Sequence, residues 1–157
     1  MTSGGAAPPG GAFADQAFAA AAGAYARTPG EWEQAIRAAI AELFGFLSRH
    51  RSQTLACMAG DGDAGREALT DRDRVIARFA TLLAPGFDAA SAPPPPVVAE
   101  AIGGGIYELV RAYALERRLG ELPDAVPDAT VVALSPFLGA QGASAVAGAA
   151  RSAQATR

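Results

Sequence analysis

The stretch Ala101-Ile102-Gly103-Gly104-Gly105-Ile106-Tyr107-Glu108-Leu109-Val110-Arg111 constrains this chain most. It is an apolar helical pattern that keeps three consecutive glycines. Each glycine inside a helix costs about 1 kcal/mol relative to alanine. A run of three is tolerated where a partner helix or a ligand comes close; close helix packing, mostly across a dimer, is the preferred explanation and ligand clearance the second. The pattern therefore predicts a helix packed tightly along at least one bare face.

The rest of the sequence supports helices. Half of the residues are hydrophobic and only 7% are aromatic, so the core must come from Ala, Leu, Ile and Val with few rings. Alanine is the best helix former and a poor strand former. A length of 157 residues fits one domain. The net charge of −3 and pI of 5.1 argue against a nucleic-acid-binding surface. A single cysteine, Cys57, rules out an internal disulfide and a cysteine-based zinc cluster. No run of eighteen apolar residues is present, so no membrane span is predicted. Met1 to Gly11 lacks the basic start and leucine-rich core of a secretory signal, and a cytoplasmic location is the expectation.

Periodicity and punctuation predict five or six helices after a disordered Gly/Ala/Pro-rich start. Phe18, Ala22 and Tyr25 share a face of a short helix over Ala12–Ala26. Thr28-Pro29-Gly30-Glu31 reads as a capped helix start. The helix after it carries Trp32, Ile36, Ile40, Leu43 and Leu47 on one stripe, widened by Phe44. A short helix over Ser52–Ala59 bears Leu55 and Met58. Thr70 and Asp73 suggest a second cap, opening a helix with Val75, Ile76, Phe79, Leu82 and Leu83 that stops before Pro85. Phe87 to Pro96 reads as a proline-rich loop. A long helix then runs from Pro96 to about Leu119, with Gly120 past its end. A last helix spans Asp128–Leu138, kinked or ended by Pro136, and Gln141–Arg157 reads as a frayed tail. The predicted organisation is a lead-in over 1–28, a helical domain over 29–140 and a flexible tail over 141–157.

The order of these segments resembles the C-terminal, effector-binding and dimerisation domain of TetR-family transcriptional regulators. The resemblance covers roughly Trp32 to Gly139. It rests on the Trp32–Leu47 helix, Leu55–Met58, Leu82-Leu83-Ala84-Pro85-Gly86, the proline-rich loop, the glycine-bearing helix, Leu122-Pro123 and Pro136-Phe137-Leu138-Gly139. It implies an all-α bundle that acts as a homodimer, with the last two long helices forming the seam. Gly103, Gly104, Arg111, Val131, Leu134 and Phe137 would then lie at the interface. It also implies a pocket for a small apolar effector, walled by Phe44, Leu47, Leu55, Met58, Phe79 and Tyr107. The stretch before Thr28 has no helix-turn-helix and one basic residue, Arg27, so the chain reads as the regulatory half without its own DNA contact.

Other candidate chemistry is outweighed. Gly60-Asp61-Gly62-Asp63-Ala64-Gly65 matches G-x-G-x-x-G, but a helix precedes it and two aspartates would repel phosphate. The same aspartates fail a calcium loop, which needs glycine and a carboxylate where Arg66 and Arg72 stand. His50 and Cys57 are the only strong base and nucleophile, and no third group orients them. Glu100, Glu108 and Glu116 recur on one helix face, where Arg111 favours a solvated, salt-bridged surface over a metal site. Tyr107 and Tyr113 could offer hydroxyls to a cavity or pack at the seam. No catalytic residue, metal or cofactor is expected. The alternatives to a ligand-responsive regulator are a dimeric assembly protein without a ligand and, less favoured, a small helical enzyme.

Overall fold

The computed structural model describes residues 9–59 and 65–154. Among these the chain is all-α: 87% helical, with seven α-helices, one 3-10 helix and no strand. The helices are α1 (Pro9–Arg27), α2 (Trp32–Arg49), α3 (Arg51–Met58), α4 (Gly65–Leu82), α5 (Ala84–Ala89), α6 (Val97–Leu115) and α7 (Val126–Gln154). The 3-10 helix, Leu119–Ala125, links the last two.

The predicted stripe makes α2 the centre of the molecule. Ile36, Ile40 and Phe44 are fully buried, and each such side chain contributes about 1.5–3 kcal/mol through burial. α1 lies antiparallel against α2, since Phe13 near its start meets Phe46 near the end of α2 at a ring separation of 5.6 Å. Its buried row is Phe13, Ala17 and Ala21. The expected row of Phe18, Ala22 and Tyr25 is only half-buried, because the face of α1 that packs inward is the neighbouring row of Phe13, Ala17 and Ala21. The 3-10 helix sits by the end of α2, with Gly120 beside Arg51. The first half of α7 then runs back along α2, reaching Trp32 through Phe137 at 5.5 Å. Phe87 stacks edge-on against the same Phe137 at 5.0 Å, closing that end of the core.

α4 and α6 form the second antiparallel layer. Ile76 lies at Gly103, and one turn away Arg72 covers the Tyr107 ring. A Cβ built at Gly103 would stand 3.1 Å from the Ile76 carbonyl oxygen, so this glycine admits the backbone of α4. The glycine run was expected to serve packing across a dimer; at Gly103 the close approach comes instead from α4 of the same chain. α1 runs parallel to α4, tied by an Asp15–Arg78 ion pair and by Arg78 over the Phe18 ring.

Several boundaries differ from the sequence reading for local reasons. α1 begins at Pro9, earlier than expected, because proline is tolerated in a first helical turn. Thr28 closes α1 instead of opening α2: its hydroxyl donates to the Ala24 carbonyl at 2.8 Å. Glu31 flanks the start of α2 without a side-chain cap. α4 begins at Gly65, so Thr70 and Asp73 lie inside it. Part of the expected proline-rich loop is helical, since α5 carries Pro85 in its first turn and seats Gly86 under the Trp32 ring. α6 ends at Leu115, with Arg117 instead of Gly120 in the left-handed region at φ 59°. There the Arg118 amide bonds back to the Tyr113 carbonyl at 2.8 Å and the Arg117 amide to Ala114 at 3.1 Å. Those bonds make a Schellman turn.

Pro136 neither ends nor breaks α7. The break comes at Gly139, with φ 72° and ψ 169°, where glycine carries no Cβ penalty. Beyond it the expected frayed tail is helical to Gln154, and Ala143, Val146 and Ala147 are buried. The G-x-G-x-x-G segment, apart from Gly65, lies outside the described residues, as do residues 1–8 of the lead-in and 155–157 of the tail.

Candidate functional site

α6 is apolar on two opposite faces. Inward, Ala99, Ile102, Gly103, Ile106, Val110 and Ala114 are buried at helical spacing. Outward, Val97, Ala101, Gly105, Ala112 and Leu115 are exposed and interrupted mainly by Glu100 and Glu108. A helix that is apolar all round normally has both faces covered. Val97, Leu115 and Val132, at 64%, 50% and 53% exposure, are the large hydrophobic side chains left most open among the described residues. All three lie on α6 or α7.

The residues expected at a seam fall into two groups. Gly103 is taken up by α4, and Leu134 is fully buried, so neither offers surface to a second copy. Phe137 packs on Trp32 and Phe87, and Val131 is half-buried against the same core. Gly104 and Arg111 are half-buried at the edge of the outward face. Val97, Leu115 and Val132 were missed. Their signal was present, since each stands on the helix side opposite the buried stripe, but the reading followed the glycines.

Of the residues expected around a pocket, Phe44, Leu47 and Phe79 belong to one buried cluster, and Leu55 and Met58 pack half-exposed against it. Tyr107 stands apart, half-buried with the Arg72 guanidinium 5.3 Å from its ring centre. Tyr113 is covered in the same way by Arg118 at 5.0 Å. Each ring therefore meets an arginine from its own chain.

Charged groups form surface networks. Glu108 faces Arg72 at 3.6 Å and Arg111 at 3.9 Å. Arg118 binds Glu121 at 2.8 Å and Glu116 at 2.9 Å, and these bonds raise its guanidinium pKa further above the ordinary range. Glu33 and Arg37, one turn apart on α2, each shield an atom (Oε2 and Nε) with no hydrogen-bond partner among the described residues. Such an atom costs about 1–3 kcal/mol unless something meets it.

His50 and Cys57 do not share a helix face, because the chain turns at His50 between α2 and α3. The His50 Nδ1–H donates to the Phe46 carbonyl at 2.8 Å, and its ring stacks on Phe46 at 4.3 Å. That is the chemistry of a helix terminus. Among the described residues no group of three or more His, Cys, Asp or Glu side chains could hold a metal ion.

The segment Leu119–Ala149 is long and apolar enough to cross a membrane by length and composition, contrary to the expectation that nothing in the chain would be. It joins the 3-10 helix to α7, whose backbone kinks at Gly139. Comparison with protein-family models, curated proteins and solved structures finds no match to this chain.

Proposed function

We propose that this chain is the effector-binding and dimerisation part of a TetR-like, ligand-responsive transcription regulator. The observation that carries the reading is the outward apolar face: Val97, Leu115 and Val132 lie on the two helices that the resemblance assigns to the seam. On this reading a second copy covers the large apolar side chains that these two helices leave open.

On this reading two copies pair through α6 and α7 in the cytoplasm. An apolar effector enters beside α2 and α3 past Leu55 and Met58, two of the half-buried residues packed against the buried cluster. A ligand that binds one arrangement of these helices more tightly shifts the population toward it. Any effect on DNA passes through another element, since the −3 charge of this chain gives phosphate no attraction.

Thermal unfolding against a chemically broad panel of apolar small molecules tests the effector. A ligand at one hundred times its Kd adds about 2.7 kcal/mol of stability. At least one compound should raise the melting temperature, and Met58→Ala, a change at the half-exposed rim, should reduce that shift. No shift across the panel would sink the effector and leave an assembly protein.

A further inference from the structure

The exposed row of α6 has an order that a second copy can use. Val97, Ala101, Gly105, Glu108, Ala112 and Leu115 read almost alike from either end. Branched aliphatic residues stand at the tips, alanines come next, and a bare glycine sits beside one carboxylate in the middle. A two-fold contact requires a surface that complements itself, with residue i meeting j and j meeting i.

We propose that α6 pairs antiparallel with α6 of a second copy, about an axis passing between Ile106 and Tyr107. The proposal deepens the dimer of the preceding subsection and rests on it. In this register Val97 meets Leu115 of the partner subunit, and Ala101 meets Ala112 of the partner subunit. Glu108 lies over Gly105 of the partner subunit. A Cβ built at Gly105 would find nothing within 4 Å, so a neighbouring helix can come in there without displacing its own chain.

Charge selects the antiparallel direction. Glu100 and Arg111 are eleven residues apart, which at about 100° per residue puts them on the same flank of the row. In an antiparallel two-fold pair, matching flanks meet. Glu100 therefore stands beside Arg111 of the partner subunit, within about 3 Å along the axis at 1.5 Å per residue. Symmetry repeats the contact. A parallel pair would carry the two groups away from each other. Each central Glu108 already faces Arg72 and Arg111 of its own chain, so the two carboxylates do not meet uncompensated.

The test begins with light scattering on the whole chain, then uses single cysteines on a Cys57→Ser background. Ala101→Cys and Ala112→Cys are co-expressed, oxidised and run without reductant. A disulfide needs Cα atoms within about 7 Å. The co-expressed pair should give a linked dimer in up to about half of the protein, the share of mixed pairs in a two-fold assembly. Either variant alone should give almost none, because identical positions lie about 16 Å apart along the helix. A monomeric wild-type chain would remove the dimer and this register together. A dimer in which Ala101→Cys links to itself, or in which Val132→Cys links while the 101–112 pair does not, would overturn the register and leave the dimer standing.

Discussion

Replacing Gly103 and Gly104 in turn by alanine separates a glycine held by packing from one that is not. In a helix interior alanine gains about 1 kcal/mol over glycine. At Gly103 the new Cβ would sit 3.1 Å from Ile76 Cγ2, 3.1 Å from the Ile76 carbonyl oxygen and 3.4 Å from Ile76 Cα. The methyl can rotate away, but the carbonyl oxygen and Cα move only if α4 shifts. Overpacking of that kind costs about 1–3 kcal/mol, which cancels or exceeds the gain. At Gly104 the nearest neighbour is Ile76 Cδ1 at 4.0 Å, an ordinary contact, so the gain survives. Gly104→Ala should stabilise by about 0.5–1 kcal/mol and Gly103→Ala should be neutral or destabilising by up to about 2 kcal/mol. The gap, about 0.5–3 kcal/mol, corresponds to at least about 1–2 °C in melting temperature for a chain of this size. Urea unfolding of each variant, at dilutions where the chain is monomeric, measures it, and equal m-values show that the unfolded state is unchanged. Equal stabilisation by both substitutions would mean that α4 does not close on α6 at Ile76.

Further expectations concern the ends of α6, alkaline stability and membranes. Arg117→Gly removes a left-handed residue that costs about 1–2 kcal/mol and should raise the urea midpoint; a lower midpoint would contradict the strained turn. Burial raises the Tyr25 phenol above its ordinary 10.0. The folded state therefore holds that proton where the unfolded chain has lost it. Stability should fall as pH rises above about 10 and level off once the raised folded pKa is passed, and Tyr25→Phe should flatten the fall. In flotation with phosphatidylcholine vesicles the chain should stay in the dense fraction, because Leu134, Ala143, Val146 and Ala147 of α7 are buried against its own core. Co-flotation would favour a membrane role for the Leu119–Ala149 segment.

What was legible in the sequence was written in side-chain size. Of the predicted α2 stripe, Ile36, Ile40 and Leu47 fill the core together with the flanking Phe44, while Trp32 and Leu43 stay half-buried at its edge. The glycine run announced a close approach but pointed to a second copy for it, and which of its members was covered within the chain depended on where α4 lay. Three glycines in a row look alike until Ile76 arrives at Gly103. The tail failed for the opposite reason. Ala143 and Ala147 carry little apolar signal, and only packing against the bundle shows that they are buried. Pro136 misled because a proline on an exposed side of a helix can be absorbed, while the break fell at Gly139, where a positive φ costs glycine nothing. Thr28 could serve either neighbouring helix, and its hydroxyl went to the one behind it. The outward face of α6 was visible as apolar residues on both sides of one helix, a pattern that was read for its glycines and not for Val97 and Leu115.

Sedimentation equilibrium of the intact chain and of the Leu115→Glu/Val132→Glu variant weighs the outward face directly. The wild-type chain is expected at twice its 15.8 kDa mass and the doubly charged variant at 15.8 kDa, both with full helical circular dichroism. A wild-type monomer, or a variant dimer as tight as the wild type, would contradict the assignment of α6 and α7 to the seam.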